Sequence, residues 1–146
     1  MTAPASAASA VATELDKLVS PLALTLNTNL FVGRPDPGRG YGELSVWCCD
    51  TGGSAMGVLL GGAIHDDVCS VQVEVQAGSP AFDEGAALAL ACLGALRALA
   101  VSGATPPTGF LSLTPREGMP QYLGPDDARR HRWAFNADLR RQAVDT

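Results

Sequence analysis

Apolar and polar positions divide the chain into two helical stretches and a series of alternating segments. Val11, Leu15, Leu18, Val19 and Leu22 recur at helical spacing, with Glu14, Asp16 and Lys17 opposite, which predicts one amphipathic helix stopped near Ser20-Pro21. The Ala/Ser/Thr-rich residues 1–10 before it predict a flexible, frayed start. Leu30 to Arg34 predicts a strand, closed by the turn chemistry of Pro35-Asp36-Pro37-Gly38-Arg39-Gly40. Glu43 to Cys49 alternates at Leu44, Val46 and Cys48, and Val68 to Gln76 alternates Val or Cys with polar residues; both read as strands with one buried face. Thr108 to Thr114 predicts a further strand, and Pro120 to Arg130 a turn-rich connection. From Arg132 to Arg140 the period is two, with Trp133, Phe135, Ala137 and Leu139 on the inward face.

Two stretches depart from that simple pattern. Ser79-Pro80 followed by Asp83-Glu84 predicts a helix start, and Ser102-Gly103 its end, so the helix runs to about Val101. Nothing between Gly85 and Leu96 is charged. One apolar stripe runs through Phe82, Ala86, Ala89, Leu90 and Leu93, and a second through Leu88, Cys92, Ala95 and Leu99. A helix apolar all round is buried on more than one side; here a sheet covers one side and a second helix or another subunit the other. The second departure is Thr51 to Asp67, where five glycines are mixed with Met56, Val58, Leu59, Leu60 and Ile64. This predicts a long loop whose apolar residues find cover on a neighbour. Together the elements predict a single α/β domain over residues 11–146. Its mixed, largely antiparallel sheet has four to five strands, packed by the long central helix and the N-terminal helix.

Composition sharpens this picture. A chain of 146 residues is one domain and buries enough surface to need no staples. Apolar residues make up 47% and aromatics only 5%, so the core must come from Ala, Val and Leu. A net charge of −5 argues against broad nucleic-acid binding by phosphate neutralisation. The arginines concentrate between Arg129 and Arg141, and Lys17 is the sole lysine. That cluster is either a solvated strand end or a contact with an acidic neighbour. Cys48, Cys49, Cys69 and Cys92 do not form a secreted disulfide framework and are expected as reduced thiols, with Cys48 and Cys49 on opposite faces of their strand. The start lacks the charge and apolar run of a signal peptide. No stretch reaches membrane-spanning length without charge or glycine breaks, so a soluble protein is expected.

Catalytic constellations are weak. His65-Asp66-Asp67-x-Cys69 gathers four potential ligands, but at a loop-to-strand junction with only Cys48 and Cys49 to complete a metal site, and no metal is expected. His131 reads as a solvated turn residue. Gly52-Gly53-Ser54 and Gly57-x-x-x-Gly61-Gly62 lack the Lys-Ser/Thr ending of a phosphate loop. Asp126-Asp127 near Asp138 could resemble an acid pair, yet turn carboxylates beside arginines are usually ion-paired and solvated. No serine or histidine sits in a nucleophile setting. No catalytic role and no cofactor are expected.

An ordered set of short segments carries more information than any one of them. Asn29-Leu30-Phe31-Val32-Gly33-Arg34-Pro35-Asp36-Pro37 precedes Trp47-Cys48-Cys49-Asp50-Thr51-Gly52-Gly53; Val71-Gln72-Val73-Glu74-Val75 and the long Ala/Leu helix follow. Pro120-Gln121-Tyr122-Leu123-Gly124-Pro125-Asp126-Asp127 and Arg132-Trp133-Ala134-Phe135-Asn136-Ala137-Asp138-Leu139-Arg140 close the chain. In order and spacing this set resembles the tail terminator, or minor capsid, family of long-tailed bacteriophages over residues 10–141. It departs from that family's pattern at Gly124-Pro125-Asp126-Asp127-Ala128 and at Cys48-Cys49. The resemblance implies an α/β virion protein that forms a homo-hexameric ring, caps the tail tube protein, and joins it to the head–tail connector or stopper protein. The genome DNA would pass through that ring without sequence-specific binding, and no membrane is involved. It implies location in the virion neck, and in the host cytoplasm during assembly. On this basis Leu59, Leu60, Arg129 and Arg130 are expected at interfaces, and Asp66 and Asp67 at the lumen, with the arginine cluster turned outward. Another neck component, namely a head–tail stopper or tail-completion protein, is the alternative within the same class. A small binding or regulatory module, or a metal-assisted enzyme using His65, Asp66, Asp67 and Cys69, stands outside it.

Overall fold

A computed structural model describes residues 6–35, 44–59, 64–103 and 105–144. They form one mixed α/β unit in which two helices cover one face of a six-stranded sheet. In chain order the elements are α1 (Ala7–Leu15), β1 (Leu30–Val32), β2 (Leu44–Leu59), β3 (Ile64–Ala77), α2 (Phe82–Ser102), β4 (Ser112–Pro115), β5 (Gln121–Pro125) and β6 (His131–Val144). The sheet order is β1-β2-β3-β6-β4, and β5 pairs with β6 on the same edge as β4. Among the described strands β1 runs parallel to its neighbour and the others pair antiparallel. The fold class read from the sequence holds, with more strands than expected because Gln121–Pro125, read as a turn-rich connection, pairs as β5.

The core follows the alternation. Val46 and Cys48 of β2, Val71, Val73 and Val75 of β3, and Trp133, Phe135, Ala137 and Leu139 of β6 are buried under the helices. Leu88, Ala89, Cys92, Leu93 and Leu96 form the buried stripe of α2 at i, i+1, i+4, i+5 and i+8. Gly85 continues this stripe: a Cβ there would lie 2.5 Å from Trp133 Cζ3 and 2.6 Å from Ala77 Cβ. Burial pushes the Cys92 thiol up to about 12, and burial, with Cys92 and Cys49 nearby, raises Cys48 further. All four cysteines are free thiols, and Cys49 faces away from the core as alternation requires.

The helix ends differ from their sequence reading. The first helix begins at Ala7 rather than Val11, with Ser6 as its N-cap accepting from Ser9 N–H at 3.0 Å. Ala7, Ala8 and Ala10 are buried, and Asp50 Oδ1 accepts from Ala8 N–H at 3.0 Å, a carboxylate at the positive end of the helix. This helix ends at Leu15, before Ser20-Pro21, and Asp16 takes the Leu26 N–H instead of continuing it. Ser79 does not cap α2; Ser79–Ala81 forms a 3-10 turn, and Gly103, at φ 68°, closes the other end. By length and composition alone Ser79–Ser102 could cross a membrane. Here it is the helix that packs β3, β4 and β6, with the opposite side uncovered: Leu90 is 52% and Val101 80% exposed. Among the described residues no second helix covers that side, which leaves the other expected cover, another subunit.

The segment read as a long loop, Thr51 to Asp67, is largely strand. β2 continues to Leu59, β3 begins at Ile64, and the two pair down to Leu59↔Ile64. β6 adds a third strand that pairs with β3 as far as Ile64↔Val144. Residues 60–63, and with them Leu60, lie outside the described residues. Two bulges, between Asp50 and Gly52 and between Ala55 and Gly57, break the alternation that would have announced a strand.

Candidate functional site

The three long strands outrun the rest of the fold. β2 has 16 residues and β3 and β6 have 14 each, so at about 3.3 Å per residue they reach about 45–50 Å. β1 pairs only with Val46–Cys48, and β4 takes β6 only up to Arg140. Beyond these points β2, β3 and β6 form a three-stranded arm, and among the described residues both its edges are unpaired. Open edges invite pairing with another chain, and bulges on β2 are a usual restraint on it. Gly53 sits in this arm where a Cβ would run into the Val68 carbonyl oxygen of the facing strand. Only glycine fits there.

The expected site residues distribute unevenly over this geometry. Leu59 is the last residue of β2, at the far end of the arm. Asp66 and Asp67 are not at the end of a loop; they lie in β3, in register with Gln142 and Arg141. The Asp67 carboxylate lies 3.8 Å from Arg141 Nη2. Asp67 and Arg141, the last of the arginine cluster, are thus neighbours in one arm. Arg141 Nε is buried without an acceptor among the described residues. Among those residues no three His, Cys, Asp or Glu side chains gather around a possible metal position.

Arg129 and Arg130 shape the β5–β6 turn. Asp126 accepts from the backbone N–H of Ala128 at 2.9 Å and of Arg130 at 2.8 Å, and from Arg130 Nε at 3.2 Å. Arg129 takes a left-handed φ of 61° and remains exposed, while the Arg130 guanidinium is held inside the turn. Burial would raise the Asp126 carboxyl, but those N–H groups and the Arg130 charge outweigh it and hold it below the usual range. The segment Gly124-Pro125-Asp126-Asp127-Ala128 closes this turn, with Gly124 at φ 88° and Asp126 N–H donating to the Arg130 carbonyl at 2.9 Å.

The face away from the helices carries the stacked Phe31 and Trp47 rings, with centroids 4.5 Å apart, and a polar region beside them. A cavity of about 570 Å³ is bounded by Arg34, Asp50, Glu74 and Arg132 on the sheet side and by Asp126 and Arg130 at the turn. Charges of both signs line it, so it suits a mixed-charge protein surface better than an anion. Farther along this face, Arg116 Nη2 donates to Asp138 Oδ1 at 2.7 Å and to Ser70 Oγ at 2.9 Å, and Ser70 Oγ donates to Asp138 at 2.9 Å. The Arg116 hydrogen bond, helped by that of Ser70, holds the Asp138 carboxyl below the usual range against its partial burial. Asn136 falls between the last β4 pair, Pro115↔Ala137, and the first β5 pair, Gln121↔Ala134, so no strand partner is available to its N–H. Glu117 fills the gap, accepting from Asn136 N at 2.7 Å and Nδ2 at 2.8 Å. The sequence reading missed this network; its signal was the polar half of the β6 alternation.

Phe82, Tyr122, His131 and Trp133 form an aromatic cluster with centroids 4.9 to 6.1 Å apart, and Tyr122 Oη lies 2.7 Å from His131 Nδ1. His131 is therefore packed within an aromatic group rather than solvated in a turn.

The depressed carboxyls set an acid limit. A carboxyl with a lowered folded pKa contributes stability above its unfolded pKa, near 4, which is lost as pH falls through the folded value. Unfolding free energy is expected to be flat from pH 8 to about 5 and to drop below about pH 4. Asp138→Asn should shallow that drop in urea titrations; an unchanged acid limb would refute the assignment.

No family model matches the sequence, and no curated protein matches it. Among solved structures, the fold is similar to a chain in the "Virion of native gene transfer agent (GTA) particle", with a TM-score of 0.64 at 16% identity, covering 94% of this chain and 96% of that one. The likeness is one of fold, over nearly the whole of both chains.

Proposed function

We propose that this chain is a structural virion protein, a terminator whose ring caps a phage-like tail tube and joins it to the head–tail connector. The observation that carries the reading is the near full-length coincidence of fold with a chain from a virion particle. The ordered sequence segments that resemble tail terminators support it independently. The role is architectural: the tail tube protein lies on one side, the connector or stopper on the other, and identical copies alongside. Ring subunits make head-to-tail contacts that close by rotation, so each needs two different surfaces. The arm and the uncovered side of α2 meet that requirement.

Six copies would surround the passing DNA. Asp66 and Asp67 are proposed at the bore, with Arg141 paired to Asp67, so the charge there stays acidic or near neutral and holds phosphates weakly enough for the genome to slide. Free protein is expected as a monomer or a weak associate that completes its hexamer on the tail. Particle reconstruction tests the function directly: six copies in one ring at the tail's upper end are expected. Five or twelve copies, or a position elsewhere in the neck, would overturn the terminator assignment and favour a stopper or completion protein. Replacing Leu59 and Leu60 by Asp should leave the monomer's thermal transition within a few degrees of the parent while abolishing ring formation. Normal assembly of that double variant would count against an interface there.

A further inference from the structure

The uncovered side of α2 continues into a cleft, and the same chain carries a complement to both. Leu90, Gly94, Ala98 and Val101 lie along the exposed side of the helix, and a Cβ built on Gly94 would meet nothing within 4 Å. At the start of α2 a cleft of about 320 Å³ is walled by Pro21, Leu22, Leu44 and Leu88 and rimmed by Asp83 and Glu84. This track is apolar apart from Arg97, whose Nη2 donates to the Gly118 carbonyl at 2.8 Å, and it has an acidic end. The arm is the reverse: its base carries Arg140 and Arg141, and its far end pairs Leu59, Ile64 and Val144 in register.

We propose that the arm of one copy lies along α2 of the next copy, with Arg140, on the same face of β6 as Val144, against Asp83 and Glu84. The inference rests on the ring reading and names the contact that would close the ring. Arg140 is in register with Val68 and, through it, with Ser54, so from Arg140 to the Leu59 end the arm reaches about 17 Å at 3.3 Å per residue, within the ~21 Å that Ala87 to Val101 spans at 1.5 Å per residue. A chain cannot make the contact with itself. Its α2 begins against Trp133, with the Phe82 ring 5.2 Å from the indole, and Arg140 lies seven residues farther along the strand, about 23 Å away. The contact is therefore heterologous, each copy giving one arm and receiving one. A footprint of roughly 20 by 10 Å is well below the ~800 Å² per partner of a stable pair. A single contact is weak, and ring closure on the tail adds the rest.

Lys17 is the only lysine, so an Arg140→Lys variant places one new, assignable amine in the arm. Treated at high protein concentration with a carbodiimide, which joins amines to touching carboxylates, it should yield a cross-link from position 140 to Asp83 or Glu84, necessarily between copies. Adding Leu90→Asp, at a half-exposed position, should cut that yield by about tenfold, equivalent to about 1.4 kcal/mol, with an unchanged thermal transition. Asp83→Asn with Glu84→Gln should remove the product without touching the apolar track. No product, a product to other carboxylates, or a yield indifferent to Leu90→Asp would overturn the inference. A six-copy ring in the particle together with a misdirected cross-link would leave the terminator reading standing and this contact refuted. The expected cross-link with no ring in the particle would do the opposite.

Discussion

Gly85→Ala should destabilise the fold by about 2–3 kcal/mol, and Gly85→Val should leave little folded protein. Glycine inside a helix normally costs about 1 kcal/mol relative to alanine, so the ordinary expectation for Gly→Ala in a helix is a gain. Here the sign reverses. The added Cβ would stand 2.5 Å and 2.8 Å from Trp133 Cζ3 and Cη2, and 2.6 Å from Ala77 Cβ. Trp133 is held between α2 and β6 and touches Phe82, His131 and Tyr122, so the indole cannot swing away without dismantling the aromatic cluster. The helix would have to lift off the sheet. Overpacking of this kind typically costs 1–3 kcal/mol, more for a branched side chain, against a total domain stability on the order of 5–15 kcal/mol. Urea unfolding of the alanine variant measures it; a midpoint at or above the parent's would show that α2 and β6 are not in this close contact.

Where side chains alternate or recur strongly, the fold was legible. Trp133, Phe135, Ala137 and Leu139 announced the inner face of β6, and all four are buried. Val71, Val73 and Val75 did the same for β3. Alanine and glycine hid the rest. Ala7, Ala8 and Ala10 fill the space between α1 and the sheet, yet alanine carries almost no periodic signal, so the start of α1 looked like a frayed tail. Gly52, Gly53 and Gly57 look like loop residues in a list of letters. In the sheet, Gly52 and Gly57 stand at the bulges of a long edge strand, and Gly53 at a place where two backbones nearly touch. The partner of that strand is β3, the next strand along the chain, and β6 closes the far side of β3 from more than seventy residues beyond β2, a neighbour that no local pattern reports. The candidate surfaces suffered in the same way. Asp67 was legible as an acid beside a strand, but its pairing with Arg141 depends on the β3–β6 register. The over-apolar character of α2, by contrast, was plain in the sequence and survives as an uncovered side.

Gly53→Ala should uncouple the arm from an otherwise intact domain and eliminate assembly. Its backbone is not in the left-handed region, so the effect is steric rather than conformational. The Cβ would collide with the Val68 carbonyl oxygen and approach Val68 C at 3.0 Å and Cys69 Cα at 3.1 Å. All three are backbone atoms of the facing strand, which cannot rotate aside as a side chain would. Relief requires β2 and β3 to separate around Gly53↔Cys69, and everything farther out hangs on that pairing. The helices and the inner half of the sheet do not: Val46 and Cys48 still face Val75 and Val73 in their own register. Thermal stability should fall by only a few degrees, equivalent to about 1 kcal/mol for a domain of this size. Hydrogen-exchange protection should disappear for the described amides of residues 53–59 and for those of residues 64–69 that bond to β2, while it persists in α2 and in residues 71–77. Ring formation should be lost altogether if, as proposed, the arm is the surface one copy offers the next. Retained protection in the arm would show that the strands tolerate the added carbon and that the close approach at Gly53 is not a constraint. Lost protection with normal rings would instead remove the arm from the interface.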